Sequence, residues 1–303
     1  MAINKKYQLI FFSVIVLILS IAIVIIFHNI KTNDSDIIKN IEVEKVTTRI
    51  MLVKYGYDAV YSIETKEGLV VIDAGISNSL TSYYRKIIER ELKRDDFIYL
   101  INTHSHWDHT GGNQVFADAV IIAHENCTSE MTEYWKDKEK IKNGVKKIIT
   151  DYEKQLKNID TELQDSLEIY LQKIRYRHVY DDLLNDRIVT VPNKTFNDTM
   201  NISLGDMTLN LIYFGKAHSG SDIMIYIPEE KVLMVGDLFS KYGRPSIEKI
   251  NINDIERWMI AKRWLDERLE NIDIVINGHG EIMERNDLES FNEFIEKKWK
   301  ARK

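Results

Sequence analysis

Four side chains of metal-ligating type lie within six consecutive positions of the stretch THSHWDHTGG, residues 103–112. They are His104, His106, Asp108 and His109, and two glycines follow them. Imidazole and carboxylate groups are good ligands for a borderline divalent ion such as zinc, and iron or manganese can also occupy sites of this kind. The apolar run FIYLIN precedes the histidines and is typical of a short buried strand. The pattern therefore predicts a metal-binding loop at the end of a strand.

The spacing within this loop indicates two neighbouring ion positions. His104 and His106 project from one edge, two residues apart, and Asp108 and His109 follow round the loop toward a second point. The glycines at 111 and 112 permit a tight turn and a close approach of the backbone. Four ligands in one loop cannot complete two metal sites, so we expect other segments to contribute.

Three further residues have the sequence context of ligands. His218 lies in FGKAHSGSD, Asp237 in LMVGDLF and His279 in INGHGE. Each comes where an apolar strand pattern ends, close to glycine, where the backbone can approach an ion. Of the remaining histidines, we expect His124 to be structural and His178 to be solvated.

The surrounding pattern predicts a layered α/β domain. Strand patterns occupy about 43–75, a helical pattern follows, and strands return before helices at about 253–270 and 286–301. Two runs of strands, each followed by helix, favour two packed sheets with helices outside. Between about 128 and 185 the chain is highly charged and has helical spacing, which predicts an inserted helical hairpin.

The N-terminus predicts a single membrane anchor. Residues 9–27 are apolar except for two serines, a length that spans a bilayer as a helix. Lys5 and Lys6 precede this stretch and Asp34 and Asp36 follow it, so the remainder is expected to face outward. A cleaved signal peptide is the alternative, but its apolar core should be shorter and end in small residues. We therefore divide the chain into a stub and anchor at 1–30, a linker at 31–42 and a domain at 43–303.

Composition limits the partners. The net charge is −6 and no basic face is apparent, which argues against a nucleic acid partner. Cys127 is the only cysteine, so the chain has neither an intramolecular disulfide nor a cysteine-based zinc site. We expect a small-molecule substrate, and the sequence assigns no oligomeric state.

The ordered motifs resemble the metallo-β-lactamase superfamily. These are GLVVIDAG, H-x-H-x-D-H, a strand-end histidine, a GD strand end and GHG, and they extend from about 43 to the C-terminus around the insertion. The resemblance implies an αββα sandwich with two zinc ions between the sheet edges. It further implies that the first ion takes His104, His106 and His218, that the second takes Asp108, His109 and His279, that Asp237 bridges them, and that Asp73 supports the loop from behind.

Asp237 is a departure from the β-lactamases of this superfamily, which usually carry Cys or Ser at that point. Aspartate resembles instead the branch of glyoxalase II, lactonases and sulfatases. Lys241 also lies four residues on, where the β-lactam carboxylate-binding lysine usually lies three on. The resemblance therefore favours the broader hydrolase branch over an antibiotic-hydrolysing enzyme.

These features together predict a membrane-tethered, outward-facing di-zinc hydrolase of an ester, thioester, lactone or amide. Two divalent ions lower the pKa of a shared bridging water, and Asp108 is expected to orient this nucleophile and pass a proton to the leaving group. The alternatives are a true β-lactamase and a non-catalytic tethered protein that binds metal or a partner.

Overall fold

The computed structural model describes residues 35–158, 163–185, 187–240 and 255–301. The chain divides into two compact units, residues 1–41 and 42–303, and the elements below belong to the second. The expected anchor at residues 9–27 lies outside the described residues, as does Lys241. Among the residues that are described, no helix combines the length and the apolar character needed to cross a bilayer.

The first sheet contains seven strands that lie side by side in chain order. Pairing is antiparallel from β1 to β4 and parallel from β4 to β7. The parallel strands are the ones whose ends deliver the metal-binding loop. The strands are β1 (Glu42–Lys45), β2 (Ile50–Tyr55), β3 (Asp58–Glu64), β4 (Leu69–Ile72), β5 (Phe97–Ile101), β6 (Val120–His124) and β7 (Lys194–Phe196).

The second sheet contains six strands in the order β13-β12-β11-β10-β9-β8. Only β11 and β12 run parallel, and every other neighbouring pair is antiparallel. The strands are β8 (Thr199–Ser203), β9 (Thr208–Tyr213), β10 (Ile223–Ile227), β11 (Val232–Met234), β12 (Ile274–Ile276) and β13 (Ile282–Glu284).

Seven α-helices of the second unit accompany these sheets in the described part of the chain. They are α1 (Asn78–Leu92), α2 (Trp107–Thr110), α3 (Asn126–Tyr134), α4 (Lys138–Asn158), α5 (Leu163–Leu184), α6 (Ile255–Asp266) and α7 (Arg285–Lys300). Helix α1 packs against β2 and β3, and α7 packs against β12 and β13. One apolar core lies between the sheets, and a second lies between the second sheet and helices α6 and α7. The expected two-sheet sandwich with outer helices is confirmed.

Helices α3, α4 and α5 fill the connection between β6 and β7. The hairpin of α4 and α5 buries Val145, Ile149, Leu171 and Val179, and α5 packs along α1. His178 on α5 is half-buried, with its Nδ1 2.9 Å from Ser79 Oγ. The expectation that His178 is solvated was wrong, because its ring faces helix α1.

Candidate metal centre

The metal-binding loop is held in shape by close backbone packing. The loop begins after the end of β5 at Ile101, and its His106 directly precedes the short helix α2. A Cβ atom added at Gly112 would lie 2.3 Å from the carbonyl oxygen of Ala74, so only glycine fits this contact. The Asn102 and Asn113 side chains donate to each other across the base of the loop at 3.0 and 2.9 Å. The loop is thus a rigid support for its imidazoles.

Three of the expected ligands meet at one point. Ligand atoms of His104, His106 and His218 all lie within 4.8 Å of one another. His218 Nε2 and His106 Nδ1 are 2.9 Å apart, although the two residues lie in different sheet-edge loops. The group has the ligand number and type of a zinc site with room for one further ligand.

Two more groups overlap with the first. Asp108, His109 and His279 form one, and His104, His109 and Asp237 form the other, each with ligand atoms within 4.8 Å. Asp237 Oδ2 lies 2.9 Å from His279 Nε2 and 3.4 Å from His109 Nε2. It also lies 3.6 Å from His218 Nε2, so this carboxylate stands between the groups.

Three buried polar atoms in this cluster lack hydrogen-bond partners among the described residues. His104 Nε2, His109 Nε2 and Asp237 Oδ1 are buried and accept or donate no hydrogen bond among the described residues. Buried polar groups are nearly always hydrogen-bonded, so three such atoms, on residues whose ligand atoms lie within 4.8 Å of one another, fit the binding of a cation. The donor set of imidazoles and carboxylates fits zinc. The cluster can therefore hold metal.

The second nitrogen of two ligand imidazoles is tied to the protein. His109 Nδ1 lies 2.9 Å from Asp73 Oδ2, and His279 Nδ1 lies 2.7 Å from the carbonyl oxygen of Tyr57. Donation from Nδ1 leaves the Nε2 lone pair of each ring free for a metal. Asp73 also accepts from the backbone N–H and the hydroxyl of Thr103. The expectation that Asp73 supports the loop is confirmed.

Electrostatics divides the histidines of the metal-free protein into two kinds. Burial, followed by the nearby charge of His109, holds the pKa of His104 well below its usual range. Burial also disfavours the charge on His109, but Asp237 and Asp73 outweigh it and raise its pKa well above the usual range. The same imidazoles hold the pKa of Asp237 well below that of an ordinary carboxyl group, despite its burial. In the metal-free protein, a protonated His109 and an ionised Asp237 therefore stabilise each other's charge.

Two buried arginines tie the helical insertion to the centre and were missed in the sequence. Arg175 Nη2 lies 3.4 Å from Asp58 Oδ1, and the charge of Arg175 helps to lower the pKa of Asp108. Arg187 donates to the carbonyl oxygens of Ile76 and Gly111 beside the metal loop. Both arginines lie in a highly charged stretch, where the sequence does not distinguish them from solvated neighbours.

A cavity of about 600 Å³ opens beside His106. Trp107 of the metal loop and Tyr134 of α3 border it, and Trp107 also contacts the rings of Trp135 and Tyr176. Trp107 thus both packs against other rings and borders the cavity.

The other expected non-ligand residues are buried away from the cluster. His124 stacks on Tyr213 with ring centroids 3.6 Å apart, and Cys127 is buried against Met131. The expectation of a structural His124 is confirmed.

The model of the metallo-beta-lactamase superfamily matches residues 56–279. A metallo-beta-lactamase type 2 of Bacillus cereus is 22% identical over 224 residues, which cover 74% of this chain and 67% of that protein. The chain spans about two thirds or less of the lengths of the first three curated relatives that it matches.

Two solved structures share the fold. The metallo-beta-lactamase FIM-1 from Pseudomonas aeruginosa, in its mono-zinc form, superposes with a TM-score of 0.54 at 14% identity, over 85% of this chain and 96% of that one. The inverting sec-alkylsulfatase Pisa1 from Pseudomonas sp. superposes with a TM-score of 0.55 at 15% identity, over 84% of this chain and 41% of that one. At such identities the likeness establishes the fold.

Proposed function

The chain belongs to the metallo-β-lactamase superfamily, and on that premise we propose that it is a di-zinc hydrolase of an ester, thioester, lactone or amide bond. The observation that carries the proposal is the convergence of three overlapping ligand groups around Asp237. Three buried atoms of these groups have no hydrogen-bond partner among the described residues, and a bound cation would supply one. His104, His106 and His218 would hold one ion, and Asp108, His109 and His279 a second, with Asp237 between them.

Bound zinc supplies Lewis acidity, which polarises a carbonyl oxygen and acidifies water near neutral pH. The protein contributes fixed imidazoles and a carboxylate that can move a proton. Burial opposes the ionisation of Asp108, but the charges of His109 and His279 outweigh it and lower its pKa. Asp108 is therefore ionised at neutral pH and can accept a proton from the nucleophile and pass it to the leaving group.

Hydrolysis of β-lactams is the second candidate. Its support is that the curated relatives are named metallo-beta-lactamases. Against it stands Asp237, where those enzymes usually have Cys or Ser. The likeness to an alkylsulfatase fold adds sulfate esters to the substrates worth testing.

One experiment separates these candidates. The full-length chain, purified in a mild detergent, is assayed with and without zinc on nitrocefin and on a lactone, a thioester, an aryl ester and a sulfate ester. We expect zinc-dependent turnover of a lactone, thioester or ester that exceeds turnover of nitrocefin. Greater turnover of nitrocefin would establish the β-lactamase alternative.

A non-catalytic metal-binding protein is tested with His106→Ala and a matched His178→Ala control. An enzyme should lose turnover in the first variant and keep it in the second, with both variants folded. Equal turnover in the two variants, or bound zinc without turnover of any substrate by the unaltered chain, would favour the binding protein.

We also propose that residues 9–27 anchor the chain in the cell membrane with the catalytic domain outside. The support is the apolar length and the lysines before it. The chain should stay in the membrane fraction after alkaline carbonate washing. Protease added to intact cells should cleave the domain, and protection from the protease would reverse the orientation.

A further inference from the structure

The charged side chains that line the cavity beside His106 are all acidic among the described residues. Its charged side chains, among the described residues, are the carboxylates of Glu130 and Glu133, and no lysine or arginine of the described chain borders it. The rest of its lining is aromatic or carries hydroxyl groups, and comprises Trp107, Tyr134, Ser105, Ser129 and Ser219. Such a cavity disfavours an anionic group.

The two carboxylates differ in their partners. Glu133 forms an ion pair with Lys136 of the same helical region. Glu130 is half-buried and accepts a hydrogen bond of 2.7 Å from the Ser221 hydroxyl, but forms no ion pair with any described residue. Glu130 is therefore the carboxylate whose charge is available to a ligand.

The aromatic side of the cavity is rigid. The rings of Trp107 and Tyr134 lie with centroids 5.8 Å apart and planes tilted by 38°. The ring centroids of Trp135 and Tyr176 lie 6.2 and 5.7 Å from that of Trp107, and these contacts fix the orientation of the Trp107 ring. Aromatic faces attract cations through their quadrupole, most strongly where water is excluded.

We propose that this cavity binds a positively charged ammonium group of the substrate, between the rings of Trp107 and Tyr134 and the carboxylate of Glu130. The inference rests on the proposed hydrolase function and names its substrate class. Because the cavity adjoins His106, the ammonium group lies on the side of the metal cluster formed by His104, His106 and His218. A substrate whose carboxylate occupied this place would meet a like charge.

The test uses two probes of nearly equal shape, choline and its uncharged carbon analogue 3,3-dimethylbutan-1-ol. Their binding to the zinc-loaded full-length protein is measured by calorimetry, so that the readout does not depend on turnover. We expect choline to bind about fivefold or more tightly than the alcohol. The shared hydroxyl cancels any contact that both probes make with zinc.

Two variant pairs locate the site. Glu130→Gln keeps an acceptor for Ser221 and removes the charge, and should abolish the preference for choline. Glu125→Gln is the control: it removes a charge from an exposed residue near the start of α3 that does not border the cavity. This variant should keep the preference for choline. Tyr134→Leu should weaken choline binding, whereas Tyr134→Phe should preserve it.

Equal binding of the two probes, or a preference that survives Glu130→Gln, would overturn the proposal. Each result is independent of the proposed function. Zinc-dependent hydrolysis without a choline preference would refute the ammonium site alone, and a choline preference without hydrolysis of any substrate would refute the proposed enzyme alone.

Discussion

Asp73 and His109 are joined by a buried hydrogen bond of 2.9 Å between Asp73 Oδ2 and His109 Nδ1. The same carboxylate accepts from the Thr103 backbone N–H at 2.7 Å and from its hydroxyl at 2.8 Å. Asp73 adopts a left-handed backbone conformation with φ of 59°, which is uncommon for a residue other than glycine. One carboxylate thus fixes both the start of the metal loop and the tautomer of a ligand.

Asp73→Asn should weaken zinc binding by about 10- to 100-fold, because the amide presents a donor toward the donor on His109. Competition with a chromogenic chelator measures the affinity. Asp118→Asn is the matched control, since Asp118 is a surface partner of Arg85. If the two variants bound zinc equally well, the bond between Asp73 and His109 would have no part in ordering the ligand.

Zinc binding should release protons. In the metal-free protein Asp237 and Asp73 outweigh burial and raise the pKa of His109 well above its usual range, so this ring is largely protonated at neutral pH, and the pKa of His279 is raised in the same direction. The pairing of protonated His109 with Asp237 and Asp73 stabilises the metal-free fold. This stabilisation is fully present below about pH 6.5, the pKa of an unfolded histidine, and is lost as the pH rises through the higher pKa of the folded state. A ligand imidazole must be neutral, so zinc displaces these protons and its apparent affinity rises with pH.

The proton release is measured by calorimetry in two buffers of equal pH and different ionisation enthalpy. The observed heat of zinc binding should differ between the buffers, by an amount that corresponds to about one proton or more for each protein. Identical heats would contradict the protonated state of His109. His178→Ala, outside the cluster, should leave the difference unchanged.

The ligand set was accessible from sequence because each member belongs to a short local pattern. His104 to His109 lie in one loop, and His218, Asp237 and His279 each end a recognisable strand beside glycine. The two-sheet fold follows from short apolar strand runs, most of whose positions are buried. In the structure the seven side chains lie together, in overlapping groups around Asp237.

The partners of the ligands were not accessible in the same way. Arg175 and Asp58 are 117 residues apart, and the insertion must fold before they meet. The contact of His279 with Tyr57 uses a backbone carbonyl oxygen, which every residue type provides. The exposure of Glu130 to a cavity depends on how α3 is rotated when its Cys127 and Met131 pack against Ala123. Long-range packing decides these features, and the spacing of residues in the sequence does not predict it.

Asp222 should make the stability of the metal-free protein depend on pH. Burial raises its pKa to about 6, although it accepts hydrogen bonds from the backbone and side chain of Ser219 and from the backbone of Ala217. A carboxyl group with a raised folded-state pKa stabilises the fold most at low pH, and this contribution falls as the pH rises from about 3.8 to about 6. The loss should approach roughly 3 kcal/mol.

Urea unfolding of the chelator-treated protein and of Asp222→Asn, compared from pH 4 to pH 7, isolates this contribution. As the pH rises, the unfolding free energy of the unaltered protein should fall relative to that of Asp222→Asn. A difference that stays constant with pH would show that Asp222 is ionised throughout. Because Asp222 shapes the turn before and after His218, the variant should also bind zinc less tightly.

Arg187 should couple the insertion to the metal loop. Its guanidinium group donates to the carbonyl oxygens of Gly111 and Ile76 and lies 4.4 Å from the centroid of the Trp135 ring. Burial lowers its pKa to about 10, so the group remains charged at neutral pH. Arg187→Met removes the donors and leaves two buried carbonyl groups unpaired, which should cost about 2–4 kcal/mol of unfolding free energy.

Arg187→Lys separates charge from shape. The ammonium group keeps the charge but cannot donate to both carbonyl groups in the geometry of a planar guanidinium, so we expect it to restore only part of the stability. Arg90→Met, at an exposed pair with Glu91, is the matched control and should change the unfolding free energy little. Zinc affinity should fall in both Arg187 variants, because Gly111 closes the loop that carries His106 and His109. Full stability with unchanged zinc affinity in Arg187→Met would mean that the loop holds its shape without the insertion.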